Sequence, residues 1–169
     1  MISALVALLL AGAPDEAALN RFNDPFEAVS ADIADCPEPL GPRITAVQAR
    51  VQAHHRAERG TSCWLSGACS EPNAFRYDGA IAAALRDALA TAPALHPSSL
   101  WLTVQGRVVY LEGCVDDTAQ ATALEALARG LPNVLQALAL VRVGRGGALP
   151  YQRLNKEPAD PKGVAAPAY

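Results

Sequence analysis

The run LWLTVQGRVVYLEGCV at residues 100–115 decides the fold. Leu100, Leu102 and Val104 alternate with Trp101, Thr103 and Gln105, the two-residue period of a strand with distinct faces. Gln105-Gly106 makes a tight turn into residues 107–115, so the two stretches read as a hairpin. In the second strand Val109, Leu111, Gly113 and Val115 share one face, and Tyr110, Glu112 and Cys114 share the other. Gly113 inside a strand marks either a bulge or the close approach of another element.

Outward from the hairpin the period changes from 2 to 3.6. Upstream, Asp78 is an N-cap candidate, followed by Ile81, Ala84, Leu85, Ala88 and Leu89 at the spacing of one helix face. Pro93 and Pro97 end that helix. Downstream, Asp117 with Gln120 can cap a second helix whose stripe is Leu124, Leu127, Ala128 and Leu131, stopped by Gly130 and Pro132. Residues 134–143 read as a last strand. The order helix–strand–strand–helix–strand over residues 78–143 predicts an α+β fold, a two-layer sandwich with two helices on one face of a three-stranded sheet.

These residues resemble the BON domain, a module of bacterial envelope proteins. The features that carry the resemblance are Asp78-x-x-Ile81, Val104-Gln105-Gly106, the run Val109-Tyr110-Leu111-Glu112-Gly113-Cys114-Val115-Asp116, and Asn133-Val134 opening the last strand. Gly106, Leu111, Gly113 and Val115 are the structural positions of the motif. Asn133 stands where the family usually has Gly, and Ala139 where Asn is common. One copy is present. The resemblance implies a non-catalytic envelope protein, in some relatives tied to osmotic stress, that binds phospholipid surfaces or cell-wall polymer.

Residues 14–77 form an extension outside that module. Asn23-Asp24-Pro25, Pro37, Pro39 and Pro42 predict irregular chain before a helix at residues 45–59. Thr45 and Gln48 make its capping box and Gly60 its C′ position. Ile44, Val47, Val51 and one of His54 or His55 lie on one narrow stripe, which predicts docking on something larger. Gly144, Gly146, Gly147 and four later prolines predict an extended or disordered tail over residues 144–169.

The apolar stretch at residues 2–11 has the length of a signal-peptide core, with small residues at 11–13, so residues 1–13 read as an export signal into the periplasm. Four cysteines in a short exported chain read as two disulfides. Three connectivities exist for Cys36, Cys63, Cys69 and Cys114, and the spacing does not choose among them. The preferred pairing is Cys63–Cys69 with Cys36–Cys114, worth about 2 and about 4–5 kcal/mol on a chain-entropy basis. The face bearing Trp101, Tyr110, Leu138 and Leu140 is too apolar to stand open, and Cys114 lies on it. Either the segment with Cys36 or the Cys63–Cys69 loop is expected to cover it, or a second copy does.

The 14 basic and 17 acidic residues leave a net charge of −3, without the basic footprint that nucleic-acid binding needs. Metal binding fits poorly, since Cys-x5-Cys is not a zinc spacing and neighbouring histidines point apart on a helix. No nucleophile elbow or phosphate-cradling glycine loop is present, and Asp116-Asp117 reads as a helix N-terminus. No cofactor is implied. The remaining contact candidates are Arg107, Arg142 and Arg145 for an anionic phospholipid, and Trp64 and Trp101 for an envelope protein or a second copy.

Overall fold

A computed structural model describes residues 17–155. Strand β2 (Ser98–Gln105) turns back into β3 (Val108–Val115), paired from Ser98↔Val115 to Gln105↔Val108. The connecting residues, Gly106 and Arg107, have φ of 58° and 70°. Two consecutive positive φ values give the primed turn that matches strand twist. Glycine takes this conformation freely and arginine does not.

Asp78 secures the turn. Helix α2 (Asp78–Ala90) begins at Asp78, with Tyr77 as its N-cap and no side-chain cap bond. The Asp78 carboxylate instead accepts the amides of Gly106 (2.6 Å) and Arg107 (2.7 Å). The expected N-cap role is therefore corrected: two free amides across the fold, on a strained turn, compete better than the helix's own first turn. Helix α3 (Thr118–Arg129) carries the expected box, with Gln120 N donating to Asp117 at 2.9 Å. Strand β4 (Gln136–Val143) runs parallel to β3. Asn133, at φ 66°, sits in the left-handed region before it, which explains why Asn can replace Gly there.

The two helices cover one sheet face. Ile81, Leu85, Leu89, Leu124 and Ala128 pack on Leu100, Leu102, Val104, Val109, Leu111 and Val115, all buried. Each Val, Leu or Ile side chain among them contributes about 1.5–3 kcal/mol by leaving water. Gly113 has φ 144°, and a Cβ there would run into the Ser99 carbonyl oxygen of the neighbouring strand.

The sheet has four strands, not three, in the order β1-β2-β3-β4. The extra strand, β1 (Phe26–Ala31), pairs antiparallel with β2 with an irregularity between Ala28 and Ser30. It comes from the stretch expected to be irregular. Its main chain satisfies the open edge of β2, and the irregularity destroys the alternation by which a strand is recognised.

Helix α1 spans Ala46–Leu65, six residues beyond its expected end. Gly60 does not stop it; it is buried in the helix, close against Asn73. The Thr45–Gln48 capping box is present. The predicted docking face is wrong, for Val47 and Val51 are exposed. The helix is held by its other side, where Arg56 lies 4.1 Å from the centroids of both the Phe22 and Phe75 rings. The same guanidinium reaches both Asp24 oxygens, at 2.5 and 3.1 Å. A cation stacked on two rings and paired in a partly buried site outweighs a stripe of two valines.

The tail is also ordered further than expected. Leu40 N donates to Gln152 O (2.7 Å) and Leu154 N to Glu38 O (2.8 Å), so residues 38–40 and 152–154 make a short antiparallel strap. Tyr151 is buried and donates to Pro37 O at 2.8 Å. The rest of the predicted flexible tail, and the export signal, lie outside the described residues.

Candidate functional site

The outer sheet face carries Trp101, Thr103 and Gln105 from β2, Tyr110, Glu112 and Cys114 from β3, and Leu138, Leu140 and Arg142 from β4, as the pairing register requires. Cys36 is bonded to Cys114 with their Cα atoms 5.8 Å apart, which ties the extension to this face. Cys63 and Cys69 are joined at the end of α1, Cα atoms 5.4 Å apart. Ser99 fixes the covering segment further, exchanging bonds with Ile33 N (2.8 Å) and Ile33 O (3.0 Å). Trp101 is half-buried between Ala28 and Glu112, its register partners.

The three candidate arginines do not form one site. Arg107 and Arg142 lie at opposite ends of β3, whose length from Val108 to Val115 is about 23 Å. Arg107 is half-buried. Its Nε donates to Asn133 O at 2.7 Å, its Nη1 lies 3.5 Å from Cys69 Sγ, and its guanidinium lies over the Tyr77 ring. Arg142 is only 8% exposed and stands 3.4 Å from the Asp35 carboxylate, with a further bond to Asp35 O. As a surface contact for anionic head groups Arg142 is corrected: the extension that covers the outer face buries it. Arg145 is exposed, yet it shares a cavity of about 540 Å3 with Asp32, Asp35 and Asp116. That end of the sheet is a poor place for an anion.

At the hairpin-tip end the surroundings differ. Leu135, 67% exposed, donates its amide to Arg107 O at 2.8 Å. Trp64 (48% exposed) and Leu65 (79%) lie beside the Cys63–Cys69 closure whose sulfur meets Arg107. Arg76 and Arg129 are exposed near the same elements, Arg76 3.5 Å from the Glu71 carboxylate and Arg129 3.3 Å from that of Glu125. Leu65 and Leu135 were missed in the sequence, since a single leucine next to a turn carries no sign of which way it will face.

A second feature lies beneath the strap. A cavity of about 410 Å3 opens between the outer sheet face and residues 40–42 and 150–152. Glu112 lines it, and burial pushes its carboxyl from 4.5 up to about 7. Thr103 lines it too, 3% exposed, with a hydroxyl that has no hydrogen-bond partner among the described residues. Neither was singled out from sequence, although a lone carboxylate among Trp101, Tyr110 and Leu140 was a usable sign. Among the described residues no group of His, Cys, Asp or Glu converges as a metal site, and no helix is long and apolar enough to cross a membrane.

Residues 77–142, less than half of the chain, match the family model of the BON domain. That span contains α2, the β2–β3 hairpin, α3 and nearly all of β4. No curated protein and no solved structure matches the chain.

Proposed function

From the premise that the chain carries a BON domain at residues 77–142, we infer that it is a non-catalytic binding protein of the periplasm whose domain contacts anionic phospholipid at its hairpin-tip end. The observation that carries this reading is the placement of exposed Trp64, Leu65 and Leu135 around Arg107. Aromatic and aliphatic side chains beside a basic rim suit the boundary between head groups and acyl chains. Arg76 and Arg129 add guanidinium groups to this rim, each already paired with a glutamate, Glu71 and Glu125. Two disulfides fit an oxidising compartment, and the apolar stretch at residues 2–11 fits export. Cell-wall polymer is the other ligand that the family brings forward.

Co-sedimentation of the disulfide-intact chain with phosphatidylglycerol vesicles tests the reading. Binding is expected at low salt, weakening as salt rises, and falling further in the Trp64→Ala/Leu65→Ala variant. An absence of binding at low salt removes it.

A second reading is favoured by the exposed valines of α1. Val47 and Val51 on one helix face suit a protein-interaction module that joins an envelope assembly or a second copy. Sedimentation velocity of the wild type and of Val51→Lys separates the two: a concentration-dependent oligomer lost in the variant supports the interaction module.

A further inference from the structure

The cavity under the strap takes no part in the lipid contact proposed above, which sits at the end of the sheet. Its volume of about 410 Å3 lies within the range of small-molecule sites, roughly 300–1,000 Å3. Leu40 and Leu140 form apolar walls, and Tyr110 and Tyr151 bring two aromatic side chains. Thr103 presents a buried hydroxyl without a partner among the described residues, an arrangement that is costly unless a ligand supplies the missing hydrogen bond.

The charge arrangement selects the ligand. The Glu112 carboxylate has no ion pair or hydrogen bond among the described residues. The charged or titratable groups facing it are Tyr110 on its own strand, Arg142 on β4 and Tyr151 on the tail. Arg142 stands 3.4 Å from the Asp35 carboxylate and donates to Asp35 O, its Nε and Nη2 having no hydrogen-bond partner among the described residues, and Arg43, next to Pro42, pairs with Glu38 at 3.0 Å. Residues 40–42 and the β2 side chains bring no charge. An anion would be repelled by the carboxylate. Where the group is ionised, a neutral ligand would leave that carboxylate partly desolvated and uncompensated.

We infer that this cavity binds a small primary organic ammonium ion, paired with the Glu112 carboxylate, flanked by Tyr110 and Tyr151, and donating to the Thr103 hydroxyl. Aromatic faces attract cations, and a carboxylate beside them adds charge and direction. The hydroxyl oxygen accepts an N–H, which favours a primary amine over a fully methylated one. The ammonium can belong to a free amine or to a lipid head group such as ethanolamine.

The test uses the 15N-labelled, disulfide-intact chain titrated with butylammonium chloride at pH 8, with 1-pentanol as the neutral match. Saturable amide shifts at Thr103, Glu112 and Gln152 are expected with the cation and not with the alcohol. The apparent affinity is expected to fall about tenfold from pH 8 to pH 6, as the fraction of ionised Glu112 falls. Glu112→Gln is expected to weaken binding at least about tenfold, and Thr103→Val several-fold. Thr103→Val also decides the matter should Glu112→Gln disturb the whole amide spectrum. Phosphatidylethanolamine vesicles separate the two sources: vesicle binding lost in Glu112→Gln assigns a head group, and butylammonium binding without vesicle binding assigns a free amine. No saturable shift with butylammonium, an equal response to pentanol, or variants that bind as the wild type does would overturn the proposal. None of these outcomes bears on phosphatidylglycerol binding through Trp64, Leu65 and Leu135.

Discussion

Replacing Glu112 by Gln makes the protein more stable in weakly alkaline solution and leaves its stability nearly unchanged in acid. Burial holds the folded-state carboxyl at about 7, against 4.5 when the chain is unfolded. Below pH 4.5 both states hold the proton, so the side chain adds no pH dependence. Between 4.5 and 7 the folded state retains a proton that the unfolded state releases, and stability falls as pH rises. Above 7 the whole cost is present. Each tenfold change in proton affinity is worth about 1.4 kcal/mol, so the displacement sets a ceiling of about 3 kcal/mol. The cavity is open along the strap, and screening by water reduces this to about 1–2 kcal/mol. Urea unfolding of both proteins at pH 4.5 and pH 8.5 measures the difference. The wild type is expected to lose about 1–2 kcal/mol relative to Glu112→Gln between the two. Parallel stabilities across that range would refute the reasoning, and the half-buried, uncompensated carboxylate with it.

Gly113→Ala is expected to cost more than about 3 kcal/mol, since its Cβ would meet the Ser99 carbonyl from a φ of 144°; a thermal midpoint equal to that of the wild type would count against the register described. Asp78→Ala strips the buried amides of Gly106 and Arg107 of their acceptor and should cost about 2–4 kcal/mol in denaturant unfolding. The disulfides should differ in worth. Removing Cys36–Cys114, which closes 78 residues, should cost about 4–5 kcal/mol, and removing Cys63–Cys69, separated by 6, about 2. Equal losses in Cys36→Ala/Cys114→Ala and Cys63→Ala/Cys69→Ala would show that loop length is not what sets them.

The sequence by itself determined the helix–strand–strand–helix–strand order, because helical and strand periods, the Gly106 turn and the Thr45–Gln48 and Asp117–Gln120 boxes are all signals within a few residues of chain. It also placed Cys114 and the apolar residues of the outer face together, since a strand's alternation fixes which side chains share a side. Tertiary structure alone decided what covers that face. β1 and the residue 38–40 and 152–154 strap form through main-chain bonds to partners far away in sequence, which leave no period behind. Val47 and Val51 read as a docking stripe, but the stronger attachment of Arg56 to Phe22, Phe75 and Asp24 turned them to solvent. Arg142 read as a surface cation and Glu112 as an ordinary strand residue. The segment ending at Cys36 buried the first beside Asp35, and the strap left the second facing a cavity without a cation to pair with, because desolvation belongs to the assembled surroundings and not to the residue.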